Sequence, residues 1–143
     1  MNAVSGGRDD LSWVLTDFAQ RVADVDCAVL WSSDGFPRAA SEGVPEEQAE
    51  DLAAMSASAF SSSKRVSVIG GGGELAKTVI EGANRFVVLA LAAERTGITV
   101  VVDTAADPLI VNVELDRLLA QVGEHLVTEG RGGSADPLTG TRP

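Results

Sequence analysis

The stretch GGGELAKTVIEG, Gly71 to Gly82, decides between two folds. Its first part, Gly71–Thr78, differs at one residue from the phosphate-loop pattern G-x-x-x-x-G-K-[ST], with Ala76 where the second glycine belongs. That pattern works only if a helix starts at the lysine, so that backbone amides and the positive helix end converge on a phosphate. Here Thr78 and Val79 follow, both β-branched and suited to a strand, and Gly82 closes the run. No helix of useful length fits. The stretch reads as a flexible glycine connection, Gly70–Gly73, leading into a strand whose charges at Lys77 and Glu81 mark a sheet edge.

Working downstream, RFVVLALAA and GITVVVDT are almost wholly apolar, so both faces of these strands must be covered, and they belong at the centre of a sheet. The connectors GANR and AERTG are too short for parallel crossovers and give antiparallel hairpins. Asp103, which ends the last strand where a magnesium ligand could sit, therefore cannot lie beside the glycine loop in a parallel sheet. A small NTPase built on Gly71–Thr78 lacks the architecture it requires. Asp107-Pro108 then starts a helix, with Val111, Leu115, Leu118, Leu119, Val122 and Leu126 as its buried stripe.

Upstream, PEEQAEDLAAMSASAFSSSKR is a helix with acids at its positive end. Its second half is built of small residues around Met55 and Phe60, a surface for close packing within the chain or across a dimer. Before it, two extended runs flank Ser33-Asp34-Gly35, an Asp-Gly hairpin turn, with Pro37 and Arg38 marking another edge strand. Leu11, Val14, Leu15, Phe18 and Val22 form the stripe of a first helix capped by Asp9 or Asp10. The expected fold is α+β, in the order α-β-β-α-β-β-β-α: a five-stranded antiparallel sheet with helices on both faces. One domain spans residues 9–128, with disordered ends at 1–8 and 129–143.

The chain has 143 residues and a formal charge of −10, which repels nucleic acid and anionic membranes. No apolar run is long enough to span a membrane and the N-terminus has no signal-peptide pattern, so the expected location is the cytoplasm. The single cysteine, Cys27, lies in an apolar run and reads as a buried thiol. His125, the only histidine, sits late on the last helix, where it suits the negative helix end. Asp24 and Asp26 read as solvated loop acids. Trp13 and Trp31 read as core or interface fillers. No catalytic residue, metal ligand or cofactor site emerges.

The element order, the hairpin VDCAVLWSSDGFPRAAS, the small-residue second helix and the glycine-punctuated strands together resemble the Roadblock (dynein light chain) family over residues 10–127. Within it, the chain is most similar to bacterial MglB-type members, in particular actinobacterial ones encoded in conservons beside a sensor kinase-like protein and a Ras-like GTPase. The resemblance implies a profilin-like sandwich and a homodimer. It also implies a partner, a small Ras-like GTPase whose nucleotide cycle or location the protein regulates, as a GTPase-activating candidate without chemistry of its own. Recruitment to a membrane would then run through partners. Family dimers join third strands and second helices, which makes Met55, Ser56, Ala59, Phe60, Lys77, Val79 and Glu81 the candidate interface, with Lys77 facing Glu81 of a second copy. The alternative function is a small-molecule sensor of PAS or profilin-like fold, although the apolar central strands favour a filled core.

Overall fold

The two most apolar runs do become inner strands. A computed structural model describes residues 6–134. In chain order these form α1 (Gly6–Arg21), β1 (Val25–Ser32), β2 (Pro37–Ala40), α2 (Glu46–Ile69), β3 (Lys77–Glu81), β4 (Arg85–Ala93), β5 (Thr96–Asp103) and α3 (Pro108–Ser134). The strands lie in the order β2-β1-β5-β4-β3, every neighbouring pair antiparallel. The two charged or proline-bearing strands, β2 and β3, are the edges.

Side chains alternate across a strand, so each central strand feeds two cores. On one face Ala28, Leu30, Val88, Ile98, Val100 and Val102 pack against Leu15 and Phe18 of α1 and Leu115 and Leu118 of α3. On the other, Trp31 and Leu89 meet Ala53 and Phe60 of α2. One helix thus serves a whole sheet face, and Trp31 fills much of the space beneath it. That ring also lies close against β5: a Cβ placed on Gly97 would lie 2.2 Å from it.

Several details differ from the sequence reading. α1 starts at Gly6, inside the expected frayed end, so Asp9 and Asp10 lie within its first turns rather than before them. α2 runs past Arg65 to Ile69, and α3 runs to Ser134, into the expected tail; the rest of both expected disordered ends lies outside the described residues. In the hairpin only Gly35 takes positive φ (93°), not Asp34. The Gly35 amide donates to the Ser32 carbonyl at 2.8 Å and the Ser32 amide to that of Phe36 at 2.9 Å, which makes a three-residue loop closed by a left-handed glycine. The extra residue is taken up by a shift in pairing, from Leu30↔Ala39 to Trp31↔Pro37.

The glycine tract is not slack. The amides of Gly70, Gly71 and Gly72 donate to the carbonyls of Val66, Val68 and Ser67, at 2.9, 3.1 and 2.7 Å. The Ser67 hydroxyl donates to the Gly73 carbonyl at 2.7 Å. Gly71 and Gly73 have φ of 83° and 74°, which turn the chain back off α2. The tract is a hydrogen-bonded helix cap that aims β3 onto the sheet.

Candidate functional site: an open sheet edge and a bare helix face

The two sheet edges are treated differently. At the end of β2 and just beyond it, the outward amides of Ala40 and Glu42 donate to the hydroxyls of Ser12 and Thr16 on α1, at 3.4 and 2.9 Å. Pro37 contributes no donor at all. α1 therefore seals that edge. Along β3, no group among the described residues bonds to the outward backbone, and Val79 is 61% exposed. The Thr78 hydroxyl is buried without a partner among the described residues. An unsealed edge with an exposed valine is a template for a further strand.

On the sheet face opposite α1 and α3 lies α2, packed mainly over β1 and β2, and it has two apolar faces. Ala49, Ala53, Ser56 and Phe60 are buried against the sheet. The Trp31 indole donates to Thr99 Oγ1 at 2.8 Å, and that hydroxyl donates to Ser56 Oγ at 2.5 Å. The Trp31 and Phe60 rings stand 6.2 Å apart. Ser56 and Phe60, expected at an interface, are thus committed to the chain's own core, 5% and 3% exposed. The other face carries Leu52, Met55, Ala59, Ser62, Val66 and Ile69, at the three-four spacing of a helix-pairing seam. Met55 is 69% exposed, and Val66 and Ile69 are exposed as well. The seam is present in the sequence, but Met55 and Phe60 are five residues apart, about 140° around a helix, and so cannot share a face.

Charge divides α2 lengthwise. Glu46, Glu47, Glu50 and Asp51 are exposed on its first half, Lys64 and Arg65 on its last turns. On β3, Lys77 and Val79 turn toward α3, and they share a 270 Å³ depression with Leu109 and Asn112. The Lys77 ammonium donates to Asn112 Oδ1 at 2.9 Å and to Asp116 Oδ1 at 2.8 Å. This corrects the expected role of Lys77. Its charge is taken up by α3 within the chain, so it is a clip for β3 rather than a free partner for Glu81 of a second copy. Glu81 itself is exposed.

Elsewhere the reactive residue types are occupied structurally. Cys27 is buried, and desolvation, then the nearby Asp26 charge, pushes its thiol above the ordinary range. Asp26 binds the Arg85 guanidinium, which Asp103 also approaches at 3.4 Å; both acids raise that guanidinium's pKa, Asp26 foremost through its hydrogen bond. Asp103 also accepts from the Ala105 amide at 2.8 Å, and Asp107 from that of Leu109 at 3.0 Å, as turn and cap. His125 Nδ1 lies 3.2 Å from the Gln121 carbonyl of its own helix. Trp31 is core, whereas Trp13 is exposed. Among the described residues no group of three or more His, Cys, Asp or Glu is placed to hold a metal, and no helix is long and apolar enough to cross a membrane.

Comparison with known proteins agrees with this geometry. The family model of the Roadblock/LC7 domain matches residues 11–102. A Roadblock/LC7 domain from Streptomyces avermitilis is 25% identical and superposes with a TM-score of 0.76, over 81% of this chain and 97% of that one. MglB of Myxococcus xanthus is 12% identical, with a TM-score of 0.76 over 90% of this chain and 96% of its own. An MglB structure with a tetrameric arrangement is 17% identical, with a TM-score of 0.75 over 86% and 92%. No curated protein matches the chain in sequence.

Proposed function

The chain belongs to the Roadblock/LC7 domain family, and from that premise we propose that it works as a non-enzymatic homodimeric regulator or scaffold for a small Ras-like GTPase. The observation that carries the dimer is the unequal treatment of the edges: α1 bonds to the β2 edge, while β3 is left open and α2 keeps a bare outer seam. In this reading two copies pair β3 with β3 and α2 with α2, about one two-fold axis. An antiparallel α2 pair centred on Ala59 sets Leu52 opposite Val66, since 52 and 66 are equidistant from 59. Ala59 is small enough for close approach at the crossing. The same arrangement brings Arg65 of each copy, on the flank of the seam, within a helical turn of Asp51 of the other. Met55, Ala59, Val79 and Glu81 keep their proposed place at the seam; Ser56 and Phe60 lose theirs.

The partner class comes from the resemblance to MglB-type proteins, which regulate the nucleotide cycle or the location of a small GTPase. The Streptomyces relative fits the conservon setting, in which a sensor kinase-like protein is a further partner. The experiment is to purify the chain with the Ras-like GTPase encoded nearest to its gene and to follow GTP hydrolysis. Faster hydrolysis supports activation, and co-elution without a rate change supports scaffolding. A chain that binds free GTP, or fails to bind the GTPase in either nucleotide state, overturns the proposal.

A further inference from the structure

The turn between β1 and β2 comes close to α2 at Gly35, where a Cβ would lie 3.6 Å from the Ala54 Cα. Beside that contact lies an open cleft of 570 Å³, walled by Asp34 and Phe36 on the turn and by Ala57, Ser58 and Ser61 on the helix. Ala57 and Ser61 each stand two residues from Ala59, hence about 160° around the helix from it, so the cleft lies off the seam assigned to a second copy. Phe36 is 67% exposed, a large aromatic facing a helix that offers only small side chains there. Polar side chains elsewhere are used internally: the hydroxyls of Ser41 and Ser56 accept hydrogen bonds, and that of Ser67 donates one. In the cleft, the Asp34 carboxylate and the hydroxyls of Ser58 and Ser61 have no partner among the described residues. No lysine or arginine is among the described residues that line it.

We infer that this cleft takes an arginine side chain presented by a protein partner, its guanidinium held between Phe36 and the small face of α2. Each free polar group there can accept a hydrogen bond, and the guanidinium brings five N–H donors and no acceptor. An aromatic wall favours a cation, and a planar, weakly hydrated one most. The small side chains of the helix let a flat group lie close. An aliphatic side chain in the cleft would strip water from Asp34 and return nothing, whereas an acidic one would be repelled by it. The chain's charge of −10 draws in a cationic surface around that arginine. The cleft is complete within one chain, so it depends on neither the dimer nor the GTPase reading.

The test titrates the isotope-labelled full chain with N-acetyl-argininamide at millimolar concentration, followed by NMR, with the lysine and citrulline counterparts as comparisons. The arginine probe shifts the amides of Asp34, Gly35, Phe36, Ser58 and Ser61 together and saturably. Citrulline keeps the shape and loses the charge, and it binds about fivefold more weakly or worse. Asp34→Asn weakens the arginine probe about fivefold or more, and Phe36→Leu, which keeps the bulk and removes the ring, about threefold. Both side chains are exposed and off the seam, so both variants keep the wild-type spectrum elsewhere and sediment as wild type does. Equal binding of citrulline, or wild-type affinity in Asp34→Asn, overturns the proposal. So do shifts that scatter over the acidic surface without saturating, and a lysine probe as tight as the arginine one overturns the choice of arginine.

Discussion

Trp31 shows how far a single side chain can dictate its neighbours. Its ring lies against Gly97, its indole nitrogen is held by Thr99, and Phe60 packs beside it. A methyl group at residue 97 would overlap three ring carbons, at 2.2, 2.3 and 2.7 Å, and the ring has no direction in which to retreat. Gly97→Ala should therefore cost about 3 kcal/mol, the upper end for overpacking, in urea unfolding. The same change in a Trp31→Phe background should cost clearly less, because the smaller ring removes the clash; equal costs in both backgrounds would mean the strain lies elsewhere. Cys27 supplies a pH prediction at the same scale. Burial, then the Asp26 charge, raises its folded pKa, so the folded state holds the proton more tightly than the unfolded state. The stability this gives is fully present below the unfolded thiol's pKa of about 8.5 and is lost as pH rises through the folded value. Wild type should thus lose more stability between neutral and mildly alkaline pH than Cys27→Ala does, and parallel slopes would refute the assignment.

Among elements, the cap between α2 and β3 makes the sharpest claim. If Gly70–Gly73 were slack, replacing any of these glycines would leave stability unchanged. Because Gly73 sits at φ 74° with its carbonyl bound by Ser67, Gly73→Ala should cost about 1–2 kcal/mol in chemical unfolding. Ser67→Ala should cost about 0.5–1.5 kcal/mol through the lost hydrogen bond. Much of the element plan is legible in the sequence. The apolar runs of β4 and β5, the short connectors and the Asp107-Pro108 start of α3 are local signals, and local signals survive folding. What is not legible is which way side chains turn once elements meet. Nothing near Lys77 in the sequence announces Asn112 and Asp116, 35 and 39 residues away. Nor does the run of small residues on α2 say that Ser56 will be drawn inward by Thr99. A glycine run also looks the same whether it is loose or bonded; only the Ser67 contact distinguishes the two.

For the whole molecule, the two-fold reading makes α2 an interface in which each residue counts twice. Met55 is exposed in the single chain, so replacing it should not disturb folding, and the effect of Met55→Glu falls on association alone. Burying one methionine side chain is worth about 1.5–3 kcal/mol, and an isologous contact loses it in both copies. The variant also sets two new carboxylates in an apolar seam. Dimer affinity should therefore fall by far more than about a hundredfold, equivalent to roughly 2.7 kcal/mol, with thermal unfolding of the monomer otherwise intact. Trp13→Ser is the matched control, similarly exposed but on α1, away from both β3 and the α2 seam, and it should sediment as wild type does. The division of α2 into an acidic and a basic half adds a second signature. Bringing Asp51 of one copy to Arg65 of the other lowers repulsion between two chains of charge −10 only where those halves meet. Arg65→Glu should then weaken the dimer at low salt and recover part of the loss at high salt, where exposed charges are screened within about 10 Å or less. A parallel α2 pair would place acid beside acid and Arg65 beside Arg65, and in that arrangement the same change would alter the dimer's salt dependence little, so the salt series read by sedimentation tells the two directions of packing apart.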